Sequence, residues 1–528
     1  MTAAAAVPAE KTGKLFNPWL IAVAASIAAF MEVLDTTITN VSLTHIAGSL
    51  GASQDESTWV LTSYLVANGI ILPLSGWLAG VIGRKRYFLL CIGAFTAASF
   101  ACGAATSMEM LIIFRLVQGL AGGGLQPIQQ AIILDAFPVH KRGAAFGVVG
   151  ITMIVAPILG PTLGGYITDS YSWRWIFYLN VPVGIFAIWM VGMMVRDPDH
   201  ARAKGAGRID YLGLGLVALG LGALQITLDK GQQDDWFDSH FIVMMASISF
   251  AALSCAVIWL LNRKEPVIDL RLLAIPSFGI SCLMIFFTGF SLYAGSALLP
   301  LLTQSQFGYD ATLSGLVLSP GGVAVLFLMP VAGKLVSHIQ VRYMVSFGMA
   351  MLAIGMFMTS RITPDTDYDT FVFVRIMQVI GLPFLFIPIS TLAFRDVPAE
   401  LNSKASALYS LFRNLGGSVG IAVIASYVSR HQQIHQAVMA QHLSPADPNY
   451  RRLLADYTQT YLDHGFAAAS AAQGAFTRIY QELLHQAAIL SYNDAVRFMA
   501  VLMLVMAAIA LFLPANDPHH KGGPAAAH

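Results

Sequence analysis

Residues 150–165 read GITMIVAPILGPTLGG. The stretch is uncharged and apolar enough to lie in a bilayer, yet Pro157 and Pro161 stand one helical turn apart. Each proline removes a backbone hydrogen bond and bends the helix locally. Gly160 and Gly164 fall four apart on one face, where a neighbouring helix can approach almost to backbone contact. Gly150 and Gly165 bracket the run. Two readings fit: a kinked packing helix, or a hinge and seal between two moving halves. The rest of the chain has to separate them.

Of 528 residues, 56% are hydrophobic and only 11% charged, against roughly 25% charged in ordinary soluble domains. The chain is therefore expected to be solvated mostly by lipid. A net charge of +1 and no basic tract longer than Arg84-Lys85-Arg86 give no sign of a nucleic-acid partner. Cys91, Cys102, Cys255 and Cys282 all lie inside apolar runs without metal-type spacing, so they read as small core residues. The first 17 residues are polar and mildly basic, and the apolar run behind them is too long for a signal-peptide core.

Fourteen apolar segments are long enough to cross a hydrocarbon core of about 30 Å. They lie near 18–43, 57–80, 87–106, 108–135, 143–168, 173–195, 209–229, 239–261, 275–303, 310–337, 341–360, 369–394, 405–428 and 492–514. The N-terminal tail and the even-numbered connections hold most of the Lys and Arg, from Lys11 and Lys14 through Arg202, Lys204 and Arg208 to Lys404. The short odd-numbered connections hold only Arg174, Lys230 and Arg361. That asymmetry orients both termini toward the cytoplasm.

An internal repeat is visible. Phe114-Arg115-Leu116-Val117-Gln118 recurs 260 residues later as Val374-Arg375-Ile376-Met377-Gln378, and Pro138 recurs as Pro398. Pro73 and Gly76 recur as Pro330 and Gly333. The expected fold is an all-α membrane protein of two pseudo-symmetric six-helix bundles with two inserted helices. Its units are a cytoplasmic tail 1–17, a first bundle 18–195, a polar linker 196–208, and the inserted pair 209–261. There follow five helices of the second bundle at 262–428, an outer amphipathic loop 429–491, the last helix 492–514 and a tail 515–528. Duplicated halves about a midplane site suit alternating access. In the outer loop, Leu453, Leu454, Tyr457 and Tyr461 form one helical stripe, and Phe476, Ile479, Tyr480, Leu483 and Ala487 another. Such a hairpin either packs on its own membrane domain or docks another protein.

Charges in hydrocarbon cost at least about 2.5–3.5 kcal/mol each on insertion scales, so they carry a partner or a task. Glu32 and Asp35 share one face of the first helix. Two nearby carboxylates in a low dielectric cannot both ionise cheaply, so one is expected to hold a proton. Asp35 lies about 17 residues into helix 1, ~25 Å from the cytoplasmic entry, and Arg115 about six residues into helix 4 from outside, ~9 Å down. Both depths fall in the outer half, which makes Arg115 the expected partner. Arg375 sits at the matching depth in the second half, but helix 9 offers no carboxylate, so a structural role is expected there. Asp229 and Lys230 read as a solvated end of helix 7. Asn40, Tyr64, Asn68, Gln126, Tyr293, Phe384, Arg413 and Asn414 are candidates for a substrate cavity, although their spacing is equally that of core packing.

Together these residues resemble the fourteen-helix drug:proton antiporters of the major facilitator superfamily, in the EmrB/QacA branch and its EmrB-like members most of all. Leu34-Asp35-Thr36-Thr37-Ile38-Thr39-Asn40-Val41 is similar to the branch's first-helix motif. Leu111, Arg115, Gln118 and Gly119 match the helix-4 motif tied to proton coupling, and 150–165 resembles the antiporter motif of exporters. Trp173-Arg174-Trp175-Ile176-Phe177 with Asn180-Val181-Pro182 is also typical of the branch. The loop between helices 2 and 3 has Gly76, Gly83, Arg84 and Lys85 in place, but Gly80 stands where the family has Asp, so the usual charge lock lacks its acid. The resemblance implies a Gram-negative inner-membrane protein driven by protons without a cofactor. It also implies a periplasmic adaptor (a membrane fusion protein) docked on 429–491, and through it an outer-membrane channel.

The expected function is proton-coupled multidrug efflux of hydrophobic or amphiphilic small molecules. The alternative is dedicated export of one metabolite, siderophore or fatty acid by the same mechanism. No Gly-x-x-x-x-Gly-Lys-Ser/Thr run points to ATP. Gly416-Gly417-Ser418-Val419-Gly420 matches a nucleophile elbow, but inside an apolar helix it reads as close packing, and no enzyme is expected. His431 and His435 lack an acidic ligand in register, so no metal is expected there. A passive channel is disfavoured because no helix shows a repeated polar face.

Overall fold

The computed structural model describes residues 17–197, 210–264 and 266–514. The N-terminal tail with Lys11 and Lys14, the linker residues Arg202, Lys204 and Arg208, and the tail 515–528 lie outside the described residues. Helices begin where the sequence supplies caps. Asn17 accepts the Trp19 amide at 3.0 Å, with Pro18 at the first helical position. Ser53 and Glu56 form a reciprocal capping box, Ser53 N to Glu56 Oε2 at 2.8 Å.

Fourteen helices among the described residues are long and apolar enough to cross a membrane. The first bundle holds α1 (Pro18–Val41), α2 (Glu56–Ile82), α3 (Arg84–Gly103), α4 (Met108–Ala136), α5 (Lys141–Ser170) and α6 (Arg174–Met194). The inserted pair is α7 (Tyr211–Lys230) and α8 (His240–Asn262). The second bundle holds α9 (Pro276–Phe307), α10 (Thr312–Leu335), α11 (Val341–Thr359), α12 (Tyr368–Ala393), α13 (Ala399–Ala440) and α14 (Ala468–Ala510). Large apolar side chains such as Phe250 (78% exposed) and Phe327 (73%) cover the outside, as a surface solvated by lipid requires.

The expected spans match through α12 to within a few residues. The last two run longer than hydropathy suggests: α13 continues to Ala440, and α14 begins at Ala468. No glycine or proline lies between Gly420 and Pro445 to stop α13. Polarity marks where a helix leaves lipid, not where its hydrogen bonds end. The expected loop 429–491 is therefore two helical extensions joined through a short helix, Pro448–Asp463. In the second stripe Ile479, Leu483 and Ala487 are buried, in register with Ala471 and Ala475, while Phe476 and Tyr480 face outward. A further short helix, Leu43–Leu50, follows α1.

α4 and α12 each break in the middle, at Gly123-Gly124 and at 380–382, equivalent places in the two halves. At Gly123 a Cβ would come within 2.7 Å of the Asn68 carbonyl oxygen, so only glycine lets the broken helix lie on α2. The bundles meet along α5 with α10 and along α2 with α13. Even-numbered loops gather at one end, here the basic end; the connection between α13 and α14 forms the hairpin end. At the basic end Phe146 of α5 stacks on Phe394 beyond α12, centroids 5.8 Å apart. There, too, a Cβ on Gly76 would lie 2.7 Å from the Lys404 Cα. That end is closed.

Candidate functional site

The first helix turns Asp35 into the interior of its own bundle, where no part of it is exposed. Arg115 Nη1 donates to Asp35 Oδ2 at 2.5 Å, and Gln118 Nε2 and Asn180 Nδ2 donate to Oδ1 at 3.0 and 2.7 Å. Arg115 also donates to Gln118 Oε1 at 2.8 Å and to the Val60 carbonyl at 3.2 Å. Asn180 reaches Ser99 Oγ at 2.9 Å. The carboxylate thus takes three donors from two other helices, one of them charged, which is what a buried anion needs. The depth estimate put Asp35 and Arg115 at one level, and here they touch. Asn180 was visible only as part of a motif; a lone amide within the apolar run of α6 was its one signal.

One turn earlier, Glu32 has different surroundings. It lines a cavity of about 270 Å³ between the bundles. Asn68 Nδ2 donates to Glu32 Oε1 at 2.9 Å, Tyr64 Oη at 3.3 Å, and Gln126 Nε2 bonds Oε2. Tyr64 belongs to both centres: its hydroxyl donates to Glu32 while the Arg115 guanidinium lies over its ring, 4.2 Å from the centroid. Lining residues come from the far halves of α1 and α7, the near half of α2 and the middle of α13, so the cavity sits toward the hairpin end.

Asn40, Tyr64, Asn68, Gln126, Tyr293 and Asn414 line the cavity, with Pro157 and Pro161 of α5. Arg413 is buried beside it and donates to Gln126 Oε1 and, at 3.3 Å, to Asn414 Oδ1. Phe384 is elsewhere, edge-on to Phe347 of α11 at 5.2 Å; its position on α12 turns it toward the outside of the second bundle. Asp229 and Lys230 depart most from expectation. Lys230 is only 4% exposed, donates to Gln233 Oε1 at 3.0 Å and to Thr58, and sits over the Trp59 ring. Asp229 accepts from Thr62 and lines the cavity with Gln225. The end of α7 is packed on the start of α2 rather than bathed in solvent, a neighbour that helical periodicity cannot reveal.

The sequence pattern of the Major Facilitator Superfamily matches residues 25–421. The chain belongs to the Major Facilitator Superfamily. It is 35% identical over 505 residues, 96% of each chain, to the multidrug export protein EmrB of Escherichia coli K12. It is 32% identical to the fatty acid resistance protein FarB of Neisseria gonorrhoeae, over 94% of this chain and 96% of that one. A solved structure of the proton:xylose symporter XylE superposes with a TM-score of 0.57 at 13% identity, covering 95% of this chain and 97% of that one. Within the superfamily the chain sits with the EmrB-type multidrug exporters, and it is a membrane transport protein, not an enzyme. The elbow-like 416–420 run agrees with this: Ser418 lies in α13 and donates to Gln225 Oε1 at 3.1 Å. His435 pairs with Asp494 at 2.7 Å rather than with His431.

The internal repeat of the chain reaches the site. Arg375 donates to Gln378 Oε1 at 3.2 Å and to Ser296 Oγ at 3.0 Å, and Gln378 donates to Thr359 Oγ1 at 2.8 Å. A serine hydroxyl stands where the first bundle has its carboxylate. At the basic end, the acid missing at Gly80 is replaced from α4: Arg84 pairs with Asp135, and Asn402 of the second bundle donates to Asp135 Oδ1 at 3.0 Å. Arg84 Nε also donates to Ser403 Oγ at 3.1 Å. Gly83 takes φ 93°, which lets the chain turn directly from α2 into α3. Lys85 caps the same corner, with its Nζ on the Gly192 carbonyl at 2.6 Å.

The strip on α5 packs on α1. A Cβ on Gly160 would meet the Thr37 Cβ at 2.7 Å, and one on Gly164 the Ile38 Cγ1 at 2.9 Å. On its opposite side α5 meets α10, where Gly150 lies under Met329 and Thr162 Oγ1 bonds Ser319 Oγ at 2.8 Å. Gly165 is buried in the same helix, and Gly119 of α4 lies against Ala67 of α2.

Proposed function

We propose that this transporter is a proton-coupled antiporter that exports hydrophobic or amphiphilic small molecules by alternating access. The observation that carries it is the sharing of Tyr64 between two acids, one sealed against Arg115 and one on the cavity wall. A substrate in the cavity and a proton on the acid pair then compete through Tyr64, by its hydrogen bond to Glu32 and its ring contact with Arg115. Differential binding of this kind is what exchange requires. Protons are the driving species and no cofactor is called for. Glu32, Asp35 and Arg115 carry the coupling, with Gln118 and Asn180 holding Asp35 in place. Gly160 and Gly164 hold α5 close on α1 within the first bundle, and the opposite side of α5, against α10, is the seam about which the bundles rock, with 18–195 and 262–428 plus 492–514 as the moving units and 209–261 beside them.

The even-loop excess of Lys and Arg supports a cytoplasmic basic end in a bacterial inner membrane, with the helical hairpin in the periplasm. The outward-facing Phe476, Tyr480 and Phe466 there supply an apolar surface for a periplasmic adaptor leading to an outer-membrane channel. Export from proteoliposomes under an imposed pH gradient tests the core of this reading. Wild type exports faster with an inward proton gradient; Glu32→Gln, Asp35→Asn and the double variant lose that acceleration. Equal acceleration in all four proteins would overturn it. Similarity to FarB favours a second reading, a dedicated fatty-acid exporter. A panel of growth-inhibition assays separates the two, since a dedicated exporter protects against one chemical class only.

A further inference from the structure

Most polar contacts of the coupling residues stay within one bundle, but one chain crosses. Glu32 on α1 accepts from Gln126 Nε2 on α4, and Gln126 Oε1 accepts from Arg413 Nη2 on α13 of the other bundle. Every donor meets an acceptor: carboxylate, amide N–H, amide carbonyl, guanidinium. Arg413 is 1% exposed, and its Nε and Nη1 have no hydrogen-bond partner. Asn414 is its own chain neighbour. The bond to Gln126 is therefore its link across the interface.

We infer that Gln126 is the residue that reports the protonation of Glu32 to the second bundle, holding the bundles together at this level only while Glu32 is ionised. The inference rests on the proton coupling proposed above. Guanidinium can only donate, and an ionised carboxylate can only accept, so the amide has one orientation that serves both. A proton on Glu32 turns one carboxylate oxygen into a donor and removes the negative charge that balances Arg413 through the amide. A buried guanidinium left without that charge is costly, and Arg413 moves toward water or toward Asp229, the other acid on the cavity wall. The charged or titratable groups around Glu32 are Tyr64 from α2, Arg413 from α13, Tyr293 from α9 and Asp229 from α7, with Asp35 and Arg115 beyond Tyr64. The bundles are closed at the basic end, so release of the link on protonation opens that end. This direction suits an antiporter: substrate leaves toward the hairpin end, a proton takes its place on Glu32, and the empty carrier turns inward.

The test measures the separation of spin labels at Arg86 and His338, one on each bundle at the basic end, in a background with the native cysteines replaced. In the unmodified site the short distance dominates at pH 8 and the long one gains at pH 5. Gln126→Met removes the link, so the long-distance fraction at pH 8 rises about tenfold, as expected for loss of a hydrogen bond to a charged group, and ceases to respond to pH. Gln126→Glu sets a second carboxylate between Glu32 and Arg413; the two acids share one proton, the remaining negative charge stays against Arg413, and the short distance dominates at both pH values. Opposite biases of the two variants support the inference. A pH response retained in either, or the same bias in both, overturns it. Wild-type export in the same liposomes keeps the outcomes apart: gradient-driven wild type with pH-responsive variants defeats this inference alone, whereas a wild type indifferent to the gradient defeats the coupling itself.

Discussion

Arg115 and Arg375 occupy equivalent places in the two repeats and differ in one partner, a carboxylate against a hydroxyl. Removing one member of a buried ion pair strands the other, at a cost of about 3–5 kcal/mol. Asp35→Asn is therefore expected to lower the unfolding temperature in detergent as well as abolish gradient-driven export. Adding Arg115→Met to Asp35→Asn restores most of the stability and none of the export. Arg375→Met strands no charge, so it keeps export within about threefold of wild type, because it gives up only hydrogen bonds of modest net worth. An export assay beside a thermal scan of the four proteins separates coupling from structure. At this scale Glu32, Asp35 and Arg115 were legible because ionisable groups in an apolar run are conspicuous. Asp229 was not, since an acid at a helix end looks solvated until α2 is seen to cover it.

Among the elements, α5 packs closely on α1 on one side and on α10 of the other bundle on the opposite side. Gly160→Leu places a side chain where Thr37 of α1 already stands. Overpacking of this kind costs about 1–3 kcal/mol, so the protein is expected to fold but to lose gradient-driven export, read by the same flux assay. The basic-end lock gives a complementary outcome. Asp135→Asn removes the acid shared by Arg84 and, across the interface, Asn402. The labelled pair at Arg86 and His338 is expected to shift toward the long distance at every pH. An unchanged distribution would show that Asp135 does not hold that end. The prolines and glycines of α5 could be read as a close-packed seam, but not which helices would lie on either side. The breaks in α4 and α12 went unread because glycines in an apolar run, Gly123-Gly124 and Gly381, are compatible with an unbroken helix.

For the whole molecule, the question is what the helical hairpin adds. Its extensions of α13 and α14 are continuous with the membrane helices, and Pro448–Asp463 packs on α14. Replacing residues 441–467 with a short Gly-Ser connection, together with Phe476→Ser and Tyr480→Ser on the outward face of the α14 extension, is expected to leave gradient-driven export in proteoliposomes within about twofold, since the cavity and the proposed coupling groups are untouched and distant changes add independently. Co-purification with a periplasmic adaptor is expected to be lost. Adaptor binding that survives these changes would place the docking surface elsewhere.

Composition, the fourteen hydropathic runs and the 260-residue repeat determine from the sequence alone that this is a duplicated helical membrane protein. Hydrocarbon leaves a backbone few other ways to satisfy its hydrogen bonds. The charges in helix 1 are equally conspicuous, because in hydrocarbon each of them needs a partner. What only the tertiary structure decided is which polar groups face one another across helices: Asn180 onto Asp35, Asp135 in place of the missing loop acid, and Gln126 between Glu32 and Arg413. Those pairings depend on the rotation and depth of separately apolar helices. Close packing sets both, and no local pattern encodes them.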